Sequence, residues 1–282
     1  MLFKQISIIG VGLLGGSLGM AAKRLGLAGT VVGIGHRDST LKQAVACGAI
    51  DRYTVSPAEG VRGSDLVVLA TPVGLFGRLM QEAAGSLADG CLITDVGSTK
   101  RAVLEAVVPH VPAGCRFVGS HPLAGSEDRG IDAASVDLYE DALVLVVPTP
   151  RSDAASVAAV EQFWRALGSR TRQMDAETHD RLLARTSHLP HLVAAALVDS
   201  LSPEAESLAA TGFLDTTRIA SGDAAMWRDI FMTNRDELLA SIEAFEAAVA
   251  AMKQALADGD AETVQSLLEQ AKRRRDRMLK SR

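Results

Sequence analysis

From Gly10 the chain reads GVGLLGGSLG, five glycines in ten residues (Gly10, Gly12, Gly15, Gly16, Gly19), directly after the apolar, β-branched run Ile6-Ser-Ile-Ile9. A secretory signal prefers an uninterrupted apolar helix with its positive charges in front, whereas here Lys23 and Arg24 follow the run. A buried parallel strand turning into a helix fits better, and Gly10-Val-Gly12-Leu-Leu-Gly15 has the G-x-G-x-x-G spacing of such a turn. In that turn the first glycine permits the bend, the second lets a pyrophosphate approach the backbone, and the third lets helix pack on strand. The helix amides then face the phosphates, so Gly10, Gly12, Leu13, Leu14 and Gly15 are the expected cofactor contacts. The competing reading is a glycine-rich turn without a ligand, which the preceding strand disfavours.

The chain of 282 residues is long enough for one large domain or two ordinary ones. A net charge of -5 argues against a nucleic-acid binder, and no apolar run reaches the ~20 residues of a membrane span. Cys47, Cys91 and Cys115 are scattered and odd in number, as expected of reduced thiols in a cytoplasmic protein. The basic ending from Lys272 suits the solvated end of a helix better than an interaction tail.

Two grammars divide the sequence. Up to residue 174, β-rich runs start at Thr30, Asp65, Cys91, Arg116 and Ala142 and alternate with helical stretches, the pattern of a wound parallel α/β sheet. Beyond Asp175, the runs Ala176 to Leu201, Met226 to Leu256 and Ala261 to Leu279 repeat apolar residues at helical spacing. The expectation is an α/β domain over 1-174 and a helical one over 175-282, with the ligand site in the cleft between them.

In NAD-binding versions of this turn an acid at the end of the second strand holds the ribose 2′-hydroxyl. Here Gly35 occupies that place, followed by His36, Arg37, Asp38, Ser39 and Thr40. Without the carboxylate, a 2′-phosphate is not repelled, and His36, Arg37, Ser39 and Thr40 can bind its oxygens. NADP is therefore expected over NAD, unless Asp38 swings in to hold a ribose.

Three polar stretches fall at strand ends: ATPVG with Thr71 and Pro72, DVGSTK with Ser98, and GSHPLAGSE with His121, Ser126 and Glu127. His121 is the candidate base, because loss of hydride from an alcohol carbon needs the hydroxyl proton removed and imidazole titrates near neutrality. Ser98 can hydrogen-bond that histidine, the hydroxyl or the cofactor. In SHLPH, His188 and His191 can share a helix face. No acidic-ligand motif accompanies them, so no metal is assigned. Arg218, in a largely uncharged stretch, suits a carboxylate clamp, with a surface ion pair to Asp215 as the alternative.

Taken in order, GVGLLGGS, DVGSTK, HPLAGSE, HDRLLARTSHLPH and GFLDTTRIA...MW resemble the prephenate and arogenate dehydrogenases of tyrosine biosynthesis over about residues 5 to 255. The resemblance implies a Rossmann-type dinucleotide-binding domain followed by an all-α dimerisation domain, and so a homodimer. It implies that His121, assisted by Ser98, contacts the ring C4 hydroxyl. Arg218 would bind a substrate carboxylate, and Asp215, Ser126, Glu127, His188 and His191 would complete the substrate-binding set. Gly35 is closer to the NADP-using, arogenate-type members. The resemblance also suggests a minimal form without mutase or regulatory regions. Glu127 or Asp128 can meet the ammonium that distinguishes arogenate from prephenate. Two other readings remain: a β-hydroxyacid or imine-type reductase, disfavoured because Asp175 to Ser200 contains no lysine, and a non-enzymatic NADP-sensing protein.

Overall fold

The computed structural model describes residues 1–125 and 128–280. Six strands, β1 (Phe3–Ile9), β2 (Ala28–Ile34), β3 (Arg52–Thr54), β4 (Leu66–Leu69), β5 (Leu92–Asp95) and β6 (Arg116–Phe117), form a parallel sheet in the order β3-β2-β1-β4-β5-β6. This is the doubly wound dinucleotide-binding order, in which the chain reverses direction across the sheet between β1 and β4 and leaves a crevice at their carboxyl ends. The connecting helices are α1 (Leu13–Arg24), α2 (Asp38–Ala46), α3 (Pro57–Gly60), α4 (Phe76–Ala84) and α5 (Arg101–Val107).

The period of two along each strand sorts the core onto the two faces of the sheet. Ile6, Ile8 and Val68 join Leu18 and Ala22 of α1, whereas Ile9, Val67 and Leu69 join Phe76 and Met80 of α4 and Val103 of α5. Both faces are dry, which is why these strands read as continuous apolar runs.

The wound sheet is shorter than expected. The run from Arg116 divides at Val118: β6 closes the parallel sheet, and β7 (Gly119–Pro122) starts a second sheet with β8 (Leu143–Val147) and β9 (Arg170–Gln173). β7 pairs antiparallel to β8, with His121 opposite Leu145, so the run from Ala142 does not extend the first sheet. Helix α6 (Ala154–Ala166) covers this junction with Val160, Phe163 and Trp164. Strands β3 and β9 were not expected, because RYT and RTRQ are polar and only partly covered.

After β9 the described chain is helical: α7 (Ala176–Leu183), α8 (Leu189–Asp199), α9 (Pro203–Glu206), α10 (Thr211–Thr217), α11 (Ala224–Thr233), α12 (Arg235–Ala257) and α13 (Ala261–Lys280). The first of the expected long helices is interrupted by a π-helical turn over Ala184–His188. Pro190, with no N–H and a ring that crowds the preceding turn, accounts for this widening. Compaction divides the chain at a different place from the grammar: one unit runs from Met1 to Arg235 and the second from Asp236 onward. Helices α7 to α11 thus belong to the unit that holds the sheets. None of the described helices is long and apolar enough to cross a membrane.

Candidate active site

The glycine turn is built as its spacing requires. Gly10 ends β1 at φ +106°, and a Cβ there would lie 2.6 Å from the carbonyl of Ala70 and 2.8 Å from the Thr71 methyl. A Cβ on Gly15 would lie 1.9 Å from the Gly10 oxygen, whereas one on Gly12 would meet nothing within 4 Å. Gly12 is the N-cap of α1, whose first turn carries no acidic residue and whose cap has no side-chain partner. Amides that the chain leaves uncapped beside open space suit a pyrophosphate. The residues fit a dinucleotide, with Leu13 and Leu14 supplying the first helical positions.

At the end of β2, Gly35 is followed by the exposed His36 and Arg37, with Arg37 Nε 3.0 Å from His36 Nε2. Ser39 and Thr40 lie in the first turn of α2. Asp38 is held elsewhere: Tyr53 donates to its Oδ1 at 2.9 Å and Lys42 pairs with its Oδ2 at 2.7 Å. Those contacts, led by the Lys42 hydrogen bond, hold its carboxyl below the ordinary value.

The loop with Thr71 and Pro72 leads to Val73, whose methyl would lie 2.9 Å from a Cβ on Gly97, so the loops after β1, β4 and β5 are contiguous. Asp95 pins the last of them. Its Oδ2 accepts from the Gly97 amide at 2.8 Å and pairs with the buried Lys100 ammonium, and its Oδ1 accepts from the Ser120 amide at 2.9 Å. Ser98 lies in this loop and is half-buried.

On β7 successive side chains face opposite ways. Ser120 turns into the core, where Trp164 donates to it at 3.0 Å, and His121 turns towards α7. There His121 Nδ1 lies 2.9 Å from His179 Nε2, and His179 Nδ1 lies 2.7 Å from Asp180 Oδ1. Asp180 accepts from the Lys100 and Arg101 amides at 2.8 and 2.9 Å. Burial, aided by the neighbouring His179, Lys100 and His188, pushes the His121 pKa well below its ordinary value.

The π-turn brings His188 and His191 to the same interior. Asn234 donates to the Asp180 carbonyl at 2.8 Å and lies 3.1 Å from His188 Nδ1. Burial lowers the His188 pKa to about 4. His191 stacks on Trp227 at 3.6 Å between ring centroids, and Trp227 closes on Gly222. His188 Nε2, His191 Nδ1 and Asn234 Oδ1 are buried without a hydrogen-bond partner among the described residues. Buried polar atoms are ordinarily satisfied, so three in one cluster point to a polar ligand.

His121, Ser98, His188 and His191 thus share one interior. Asp215 and Arg218 are exposed, on α10 and the 3-10 turn after it, and both elements pack against α8. Ser126 and Glu127 lie outside the described residues. The sequence reading assigned no role to His179, Asp180, Asn234, Lys100 or Trp227, although the first two open the HDRLLARTSHLPH motif.

Known proteins resemble this chain along most of its length. The profile "Prephenate dehydrogenase, nucleotide-binding domain" matches residues 18–173, and "Prephenate dehydrogenase, dimerization domain" matches 175–270. The chain is 34% identical to the prephenate dehydrogenase of Bacillus subtilis over 96% of its own length and 75% of the relative's. It is 35% identical to the cyclohexadienyl dehydrogenase of Zymomonas mobilis, over 92% and 91%. The crystal structure of Aquifex aeolicus prephenate dehydrogenase, with hydroxyphenyl propionate and NAD+, superposes with a TM-score of 0.91 at 32% identity, covering 98% of both chains. The glycine turn, the buried histidines and these matches place the chain in the prephenate dehydrogenase family, as a nicotinamide-dinucleotide oxidoreductase of tyrosine biosynthesis.

Proposed function

We propose that this enzyme oxidatively decarboxylates a 4-hydroxycyclohexadiene of the prephenate or arogenate type, with NADP as the favoured hydride acceptor and His121 as the base. The observation that carries the reading is the buried, neutral His121, on a strand beside the dinucleotide crevice and within reach of an interior with three unpartnered polar atoms. Bound cofactor supplies the acceptor for the C4 hydride. Gly10, Gly12, Leu13, Leu14 and Gly15 would hold its pyrophosphate, His36, Arg37, Ser39 and Thr40 would bind a 2′-phosphate, and Thr71, Pro72 and Ser98 would contact the rest of it.

His121 takes the C4 hydroxyl proton as the hydride departs. The C1 carboxylate leaves as CO2, its bonding pair enters the ring, and the proton returns to the oxygen to give a phenol. Aromatisation makes the step effectively irreversible. His188 and His191 orient the substrate together with Ser126 and Glu127, and Arg218, near Asp215, binds a carboxylate. NADP is favoured because Gly35 brings no charge to the end of β2 and Asp38 is committed to Tyr53 and Lys42. A homodimer through the helical half is supported by the profile's description and by exposed Phe245, Val249 and Leu256 on α12. The test is absorbance at 340 nm with each substrate and cofactor, in the wild type and in His121→Asn. The variant should keep cofactor affinity and lose roughly 10²-fold in kcat. Near-normal kcat in His121→Asn would remove the base assignment.

A further inference from the structure

We propose that His179 and Asp180 are positioning residues that lock His121 in its Nδ1–H tautomer, so that the bare Nε2 is the atom that meets the substrate hydroxyl. The proposal rests on the oxidative decarboxylation reading for the identity of that hydroxyl, but the tautomer follows from the chain itself.

Donor and acceptor arithmetic forces each step. The backbone amides of Lys100 and Arg101 can only donate, and one points to each oxygen of Asp180, which must therefore accept on both. Burial raises the Asp180 pKa, but the His179 hydrogen bond and the two amides outweigh it, and the carboxyl stays below its ordinary value. An acceptor 2.7 Å from His179 Nδ1 requires the proton there. Fully buried His179 is neutral, because desolvation outweighs the pull of Asp180, so its Nε2 is bare. His121 Nδ1, 2.9 Å away, must then donate to it. The His121 ring is also buried and neutral, so its Nε2 has no proton.

Asp180 has a second effect through its backbone. Its carbonyl accepts one amide hydrogen of Asn234, which directs the other to His188 Nδ1. His188 then carries its proton on Nε2, one of the buried atoms without a hydrogen-bond partner. One residue thus sets His121 as an acceptor and His188 as a donor in the same interior. The other titratable groups near His121 are the Lys100 ammonium, which is paired with Asp95, and His188, which is neutral. When His121 takes up a proton, the positive charge is stabilised through His179 by the ionised Asp180, and no proton has to leave His121 for the carboxylate.

Nitrogen NMR of the full chain, labelled with 15N-histidine and assigned by single replacement of its six histidines, reads these tautomers directly. At pH 7, His121 and His179 should each show a protonated Nδ1 and a bare Nε2, and His188 the reverse. A protonated Nε2 on His121 would overturn the proposal, whatever the turnover of prephenate or arogenate. Lack of turnover with the predicted tautomers would instead count against the functional reading alone. In kinetics, His179→Phe should lower kcat about tenfold or more with KM within about twofold, and His179→Gln, which keeps an acceptor near the Nε2 position, should recover much of the loss. Equal kcat in the two variants would mean that His179 is only a packing residue. If either variant fails to fold, the wild-type spectrum still decides.

Discussion

The carbonyl oxygen of Gly10 stands 1.9 Å from the position that a Cβ on Gly15 would occupy. Three residues earlier, a Cβ on Gly12 would meet nothing within 4 Å. The two glycines of one motif therefore do different work: Gly15 closes helix on strand, and Gly12 leaves room for the cofactor. Gly15→Ala should lower the melting temperature, because the clash is with backbone. Gly12→Val should melt like the wild type yet bind the dinucleotide at least about tenfold more weakly, a loss of ~1.4 kcal/mol or more. Calorimetry and cofactor titration of both variants distinguish the two roles, and an unaltered Kd in Gly12→Val would contradict the assignment of the crevice.

Cofactor choice depends on the end of β2. The wild type is expected to show the higher kcat/KM with NADP. Gly35→Asp should shift the preference towards NAD by about tenfold or more, since a new carboxylate repels the 2′-phosphate. A Cβ there would come within 3.2 Å of Leu41, whose side chain needs to give by only a few tenths of an ångström. Parallel initial-rate measurements with the two cofactors check this, and a wild type that prefers NAD would count against it.

These two predictions differ in how much of their basis is legible in the sequence. The β1 turn is readable because glycine spacing is a local backbone requirement. The buried parallel strands are readable because both faces are apolar. By contrast, the antiparallel pairing of β7 with β8 depends on the chain changing sheets at Val118, which no local pattern marks, and β9 is a polar edge strand. The relay is hidden for a similar reason. His179 and Asp180 lie in a charged helical stretch, and only tertiary packing brings His179 to His121, 58 positions away. The π-turn did leave a signal, since Pro190 inside SHLPH is hard to fit into a regular helix.

Arg218→Ala should mainly raise KM, by an amount corresponding to roughly 1.5 to 3 kcal/mol for a charge-assisted carboxylate contact. Its exposed position on the turn after α10 predicts little change in melting temperature or cofactor affinity. An exposed ion pair would be worth at most about 1 kcal/mol. Steady-state kinetics decide between the two, and an unchanged KM returns Arg218 to the surface.

Stability should fall with acid in a window set by the buried histidines. Burial holds His121, His179 and His188 below the ordinary imidazole value of 6.5, with His188 at about 4. In that range the unfolded chain binds more protons than the folded one, so stability is fully present above pH 6.5 and declines towards pH 4. At ~1.4 kcal/mol per pH unit, His188 alone contributes roughly 3 kcal/mol across the window. Below it, carboxylates such as Asp180, also held low, extend the loss. Denaturant midpoints between pH 4 and 8 test the slope, which His188→Gln should flatten. A flat profile between pH 6.5 and 4 would mean that these rings are not buried neutral.

The most direct test of the account follows CO2 release and cofactor reduction in one reaction, with prephenate or arogenate as substrate. Hydride loss from C4 and carboxylate loss from C1 are coupled by aromatisation, so one CO2 should appear for each nicotinamide reduced, and both rates should fall together in His121→Asn. Reduction without CO2, or no reaction with either substrate, would contradict it.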